Sequence, residues 1–113
     1  MTVTTSHVDG VAVVHVSEAR LTYPVLSDFV GTVVGLVTAG EKRIIVDLSN
    51  VTYVDSATIG ALLDLYRQAA AAGGALRLAG VQKRVETMLT MTGAQNFLQV
   101  FADLPAALAG FGG

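Results

Sequence analysis

The chain has 113 residues, of which 52% are hydrophobic and 14% are charged, and its formal net charge is −2. This length suits one domain with a sizeable core, and the composition excludes a disordered chain. The small, mixed charge gives no basic stripe for nucleic acid, and the absence of cysteine excludes disulfides and zinc–thiolate sites. We predict a single domain over residues 1–113 that binds no nucleic acid.

The N-terminal residues, 1–6, lack the basic and then apolar layout of a signal peptide. The longest uncharged apolar run, residues 29–40, is too short to cross a bilayer as a helix. We therefore expect a cytoplasmic protein that does not insert into a membrane.

The first predicted elements are two strands, over residues 2–7 and 11–16, that flank Asp9-Gly10. Asp-Gly between two such runs is a hairpin signal. Residues 17–21 are predicted to be a connection, and Thr22 is a candidate N-cap for the first helix. Apolar residues then recur at helical spacing until Ala39-Gly40, at Leu26, Phe29, Val30, Val33 and Val37.

A buried strand over residues 44–48 follows, and then a second helix over residues 56–72 that Gly73-Gly74 terminates. Its predicted apolar stripe consists of Ile59, Leu62, Leu63 and Tyr66. Residues 75–79 form a further short strand.

The last part of the chain contains a third helix over residues 83–92, which ends at Gly93. Its inward residues are predicted to be Val85, Met88, Leu89 and Met91. Residues 97–101 are predicted to form an edge strand or a tight connector, and residues 104–109 a last helical turn or two. Strands that alternate with helices predict an α/β fold: a mixed, mostly parallel sheet of four to five strands, about four helices packed on it, and an N-terminal β-hairpin.

Few residues of the chain are suited to catalysis. His7 and His15 are the two histidines, both on predicted strands, and the sequence supports no Ser–His–Asp arrangement. Asp47, Asp55 and Asp64 are spread over a strand, a loop and a helix, and the glycines fit no nucleotide-binding pattern. We predict that the chain is not an enzyme and has no metal site and no cofactor.

Polar chemistry is concentrated at the predicted start of the second helix. Asp55 is a candidate N-cap there, and Ser56 and Thr58 place two hydroxyls in the first turn. A phosphoryl group at a helix N-terminus is favoured by the helix dipole and by the free N–H groups. The small residues Ala57 and Gly60 would let the backbone of another protein approach closely. This segment therefore serves either as an ordinary capped helix start or as a docking surface.

The sequence of residues 44–60, IIVDLSNVTYVDSATIG, resembles the signature of STAS domains, specifically that of bacterial anti-sigma factor antagonists. The resemblance continues through residues 73–81 and 85–93. It implies the STAS fold and a partner, an anti-sigma factor that is a GHKL-type protein kinase. That partner would dock on the loop and the start of the second helix, which would free a sigma factor. The implied partner-binding residues are Asp55, Ser56, Ala57, Thr58, Ile59, Gly60 and Asp64.

The chain departs from that family at the position that controls docking. In the family, the hydroxyl two places after the aspartate is phosphorylated and the phosphorylated protein releases its partner. Here that position is Ala57, and the glycine that normally follows it is Thr58. Three alternatives remain: phosphorylation at Ser56, phosphorylation at Thr58, or no phosphorylation.

The same resemblance leaves a second function open. STAS domains also serve as adaptor subunits of stressosome-like or membrane-transport complexes. The alternative to an antagonist is therefore an adaptor, and whether the chain forms a homodimer also stays open.

Overall fold

The structure, a computed structural model, describes residues 2–111. Within that range seven strands and four α-helices follow one another in the order β1 (Val3–Val8), β2 (Val11–Val16), β3 (Arg20–Leu21), α1 (Tyr23–Thr38), β4 (Arg43–Asp47), β5 (Tyr53–Val54), α2 (Ser56–Ala71), β6 (Ala75–Ala79), α3 (Lys83–Thr92), β7 (Val100–Phe101) and α4 (Leu104–Gly110). A short 3-10 helix, Ala94–Asn96, follows α3. The predicted α/β class is confirmed.

The main sheet has five strands in the order β1-β2-β4-β6-β7. β1 and β2 pair antiparallel, and the other three pairs are parallel, so the predicted mixed, mostly parallel sheet is confirmed. The hairpin turn places Asp9 at φ 53° and Gly10 at φ 78°. Two successive positive φ angles are what a two-residue turn of type I′ needs, and Asp-Gly supplies them at little steric cost.

Both faces of the sheet are covered, which explains why its central strands are apolar on both sides. One face packs against α1, α2 and α3 and includes Ala12, Val14, Ile44 and Val46. The opposite face packs against α4 and includes Val11, Val13 and Ile45. Successive strand residues point to opposite faces, so a strand covered twice reads as a continuous apolar run.

A small two-stranded ribbon, β3 with β5, lies outside the main sheet and was not predicted. The pairing is parallel and sets Arg20 opposite Tyr53 and Leu21 opposite Val54. Residues 17–21 were expected to be a plain connection. Two-residue strands have no periodicity from which to predict them, yet this ribbon brings Arg20 and Leu21 to the start of α2.

The helices lie where they were expected, with differences in their faces. Leu65 is buried on α2, whereas Leu63 and Tyr66 of the predicted stripe are half-buried. The inward prediction for Met91 is wrong, since this side chain is 80% exposed. Thr22 is the N-cap residue of α1, but its side chain makes no capping hydrogen bond.

Gly93 ends α3, as predicted, and it does so in the left-handed conformation, with φ 77°. Of the helices in residues 2–111, none combines the length and the apolar character that crossing a membrane requires.

Candidate functional site

The start of α2 is fixed by Asp55, which is the N-cap residue with φ −99° and ψ 175°. Its Oδ1 accepts a hydrogen bond of 2.8 Å from the Thr58 backbone N–H, so the predicted N-cap is confirmed. The Asp55 carbonyl accepts the first helical hydrogen bond, from the N–H of Ile59. The amides of Ser56 and Ala57 precede these bonds and belong to the N-terminal N–H groups that a helix leaves without an intrahelical partner.

Thr58 ties this helix start to the small ribbon. Its side chain is fully buried, and its hydroxyl oxygen lies 2.7 Å from the Leu21 carbonyl oxygen and 2.7 Å from Asp55 Oδ1. The hydroxyl carries one hydrogen, which these two acceptors share. The first turn of α2 is therefore bonded to β3 as well as capped by Asp55.

We expect Thr58→Val to lower the free energy of unfolding by about 1–3 kcal/mol, because it leaves the buried Leu21 carbonyl without its donor. Valine has nearly the same shape, so the measurement isolates the hydroxyl. Urea denaturation followed by circular dichroism gives the difference. Thr87→Val is the matched control, since Thr87 is exposed on α3 and its hydroxyl donates to Lys83 O. An equal loss in both variants would contradict a special role for the buried hydroxyl.

The hydrogen bonds at the cap also act on the charge of Asp55. The Thr58 hydroxyl, and then the Thr58 amide, hold the pKa of the Asp55 carboxyl below its usual value, and the nearby Arg20 guanidinium adds to this effect. Each of these groups favours the ionised carboxylate. A carboxyl whose folded pKa is depressed adds stability above its unfolded pKa, and this stability is lost as the pH falls through the folded pKa.

Asp55→Asn keeps a side-chain oxygen that can cap the helix but removes the negative charge. We expect the stability difference between wild type and Asp55→Asn to be constant near neutral pH and to narrow as the pH falls from about 5 to below the usual carboxyl pKa of 3.8. Thermal unfolding of the two proteins across this range is the measurement. A difference that does not change with pH would contradict a stabilising role of the carboxylate charge.

The predicted site residues divide into an outward and an inward group. Four of them are exposed: Ser56, Ala57, Gly60 and Asp64. Asp55 is half-buried at the cap. Thr58 and Ile59 face the core, with Ile59 only 3% exposed. A Cβ added at Gly60 would meet no atom within 4 Å, so this side of the helix is open.

The sequence signal that separates these two groups is helical spacing. The buried face of α2 runs through Thr58, Ile59, Leu62, Leu65 and Ala69. Ile59, Leu62 and Leu65 are three residues apart, and the position four residues before Leu62 lies on the same face of the helix. This position is Thr58, so helical spacing places Thr58 inward. At the other end of the exposed side, Asp64 forms an exposed ion pair with Arg67 at 3.3 Å.

A hydrogen-bonded chain that sequence reasoning missed joins three strands elsewhere. Ser6 Oγ lies 3.0 Å from His15 Nε2, and His15 Nδ1 lies 3.1 Å from Asp47 Oδ2. This connectivity matches a Ser–His–Asp triad, which the sequence alone did not support because strand register brings the three residues together. Ser6 lies exposed on the edge strand β1, whereas Asp47 on β4 is partly buried. Two grooves, of about 450 and 720 Å³, are lined by residues 86–101 and by α1, and neither includes these three residues. Among residues 2–111, no cluster of three or more His, Cys, Asp or Glu could hold a metal ion.

Residues 2–107 match the family model of the STAS domain. The fold agrees with this match. It is an α/β domain with a mixed sheet, an N-terminal hairpin, three helices on one face and an exposed, capped start of α2. The chain belongs to the STAS domain family.

Among its relatives is a protein of Thermotoga neapolitana named as a homologue of an anti-sigma factor antagonist, which is 26% identical over 69 residues. The match covers 61% of this chain and 61% of the relative, so the chain spans about three fifths of the length of that curated protein.

Two solved structures share the fold. An anti-sigma factor antagonist STAS domain protein from Planctomyces limnophilus has a TM-score of 0.89 at 17% identity, with 98% of each chain covered. The murine anion transporter Slc26a9 has a TM-score of 0.75 at 21% identity, over 91% of this chain and 18% of the transporter. The fold of this chain is thus that of anti-sigma factor antagonists, and it also occurs as part of a membrane transporter.

Proposed function

We propose that this chain is a cytoplasmic anti-sigma factor antagonist. It binds an anti-sigma factor, a GHKL-type protein kinase, and thereby frees a sigma factor. The docking surface consists of Asp55, Ser56, Ala57, Gly60 and Asp64. The observation that carries the proposal is the exposed α2 start, where small residues leave open space beside a fixed cap. The names of the Thermotoga and Planctomyces relatives support the same function.

The physical basis of docking is close backbone approach. Ala57 and Gly60 present a methyl group and a hydrogen to solvent, so a partner segment can lie directly against the helix. The Ser56 hydroxyl and the unpaired first-turn amides offer hydrogen bonds at the same place. The cap and the Thr58–Leu21 bond hold these groups in position before the partner arrives, which reduces the entropy lost on binding.

We further propose that Ser56 is the phosphoacceptor and that its phosphorylation releases the partner. Ser56 is exposed, whereas the Thr58 hydroxyl is buried and reaches a kinase only if the first turn of α2 opens. A phosphate on Ser56 adds a charge of about −1.5 to −2 next to the ionised Asp55 and fills the space that the partner needs. Both effects oppose docking.

The experiment is affinity capture from host lysate, with mass spectrometry of the same sample. Trypsin releases residues 44–67 as one peptide that contains Ser56 and Thr58, because neither Lys nor Arg interrupts it. We expect an anti-sigma factor kinase in the captured fraction and a phosphate on Ser56 in the uncaptured fraction. Ser56→Ala should retain the partner and Ser56→Asp should lose it. A phosphate on Thr58, or none under any growth condition, would contradict the assignment of Ser56.

The second candidate function, an adaptor subunit of a stressosome-like or membrane-transport complex, is favoured by the structural match to part of the murine transporter. Capture experiments distinguish the two functions. An adaptor would retain a permease or a scaffold protein instead of a kinase, and Ser56→Asp would not release it. Analytical ultracentrifugation of the purified chain tests the homodimer.

A further inference from the structure

Two arginines and a tyrosine lie beside the docking surface. The Arg20 guanidinium carbon is 4.3 Å from the centre of the Tyr53 ring, and that of Arg84 is 5.9 Å from the same centre. Arg20 comes from β3, Tyr53 from β5, and Arg84 from the first turn of α3. We call these three residues the arginine cluster. Tyr53 precedes the Asp55 cap by two residues, so the cluster borders the docking surface.

Neither guanidinium of the cluster forms an ion pair with another residue in the described range, and both arginines are exposed. Two positive charges held near one aromatic ring repel each other, and an oxyanion bound at the same place relieves this repulsion. A guanidinium that stacks on a ring keeps its N–H edge free to bind a carboxylate or phosphate with two hydrogen bonds. Both guanidinium carbons lie within 5.9 Å of one ring centre, so one short segment that carries two oxyanions can reach both arginines.

The neighbouring carboxylate of the chain itself does not fill this role. Asp55 Oδ1 accepts hydrogen bonds from the Thr58 amide and hydroxyl, and no ion pair joins Asp55 to Arg20 among the described residues. Arg20 still acts on Asp55 at longer range, since it helps to keep the pKa of that carboxyl low. The two groups are thus close in space while the hydrogen-bonding edge of Arg20 stays available.

We propose that the arginine cluster is an oxyanion-binding site at the edge of the docking surface, and that it takes the carboxylates of a short acidic segment of the partner. A long polyanion such as nucleic acid fits less well, because the chain as a whole carries nine acidic and seven basic residues. The source of the segment, an anti-sigma factor, rests on the proposed function. Binding of the oxyanion itself does not.

A charged contact at the edge of an interface has a recognisable effect. It raises the association rate and makes it depend on ionic strength, because exposed charges are screened by salt. For this chain, the arginine cluster would steer an acidic segment towards Ser56 and Gly60. A partner without acidic residues at that place would gain nothing from the cluster.

The test is an NMR titration of the purified chain with hexaglutamate at low salt, observing the arginine Nε–H signals and the Tyr53 amide. Hexaglutamine is the neutral control, and inorganic phosphate tests the other oxyanion source. We expect saturable shifts with hexaglutamate at Arg20, Tyr53 and Arg84. The double variant Arg20→Gln, Arg84→Gln should bind hexaglutamate at least about tenfold more weakly. Arg67→Gln, on the exposed side of α2, is the matched control and should bind as the wild type does.

Three results of the titration would overturn the inference. The first is NMR shifts of equal size at all exposed cationic side chains, and the second is an unchanged affinity of the double variant for hexaglutamate. The third is binding of phosphate without binding of hexaglutamate. Thermal unfolding shows whether the double variant is folded, and Arg84→Gln alone replaces it if Arg20 proves necessary for the ribbon. Partner capture that is insensitive to salt and to the double substitution would also overturn it while leaving the proposed function intact. Hexaglutamate binding without any captured anti-sigma factor would contradict the proposed function while leaving the oxyanion-binding site intact.

Discussion

Gly60→Arg is expected to abolish capture of the anti-sigma factor while it leaves the free energy of unfolding within about 1 kcal/mol of the wild type. Gly60 is exposed on α2, and a Cβ there meets no atom within 4 Å, so the fold accommodates a long side chain. Arginine is also a better helix former than glycine. In the proposed complex, the same side chain would occupy the space of the partner backbone. Pull-down from lysate and urea denaturation of one purified sample give both quantities.

Gly60→Ala is the matched control for this substitution. It removes the conformational freedom of glycine in a helix and should stabilise the chain by about 0.5–1 kcal/mol. Its single methyl group should weaken capture far less than the arginine side chain does. If Gly60→Arg still retained the partner, the docking surface would lie elsewhere. If it lost stability and capture together, Gly60 would have a packing role.

Phe29→Ala is expected to have the largest effect on stability, a loss of about 3–5 kcal/mol. Phe29 is fully buried and belongs to the cluster that joins α1 to the sheet and to α2. Its removal takes a large apolar side chain from a packed interior and leaves a cavity. Domains of this size have a total stability of about 5–15 kcal/mol, so the variant would be close to unfolding. Urea denaturation followed by far-UV circular dichroism measures the change.

Tyr23→Ala serves as the control for Phe29→Ala. Tyr23 belongs to the same helix but is 81% exposed, and its truncation should change the free energy of unfolding by no more than about 0.5 kcal/mol. If Phe29→Ala cost less than about 1 kcal/mol, the neighbouring side chains would have to close the cavity. Such a result would contradict a tightly packed interface between α1 and the sheet.

Local patterns explain how much of the fold could be predicted from the sequence. The bounds of β6 and α3 match the predicted residues because apolar periodicity and glycine stops lie within a few residues of one another. The hairpin turn was predictable for the same reason, since Asp9-Gly10 specifies it directly. These features need no knowledge of distant parts of the chain.

Contacts between distant segments could not be predicted in this way. The β3–β5 ribbon pairs Arg20 with Tyr53, and the polar chain on the sheet joins Ser6, His15 and Asp47. In both cases the strand register decides which residues meet. A two-residue strand or a single polar residue is too short to produce a periodic pattern in the sequence. At the candidate site, the N-cap role of Asp55 was predictable. The bond from Thr58 to Leu21 was not, because it depends on the ribbon.

That bond has a kinetic consequence. With the first turn of α2 capped and also bonded to β3, this turn does not have to fold before the proposed partner docks. Association with a preformed surface typically proceeds at about 10⁵–10⁷ M⁻¹s⁻¹, and substitutions in such a surface act mainly on dissociation. Variants of Ala57 or Gly60 should therefore change how long the complex lasts, and loss of the Thr58 hydroxyl should slow its formation.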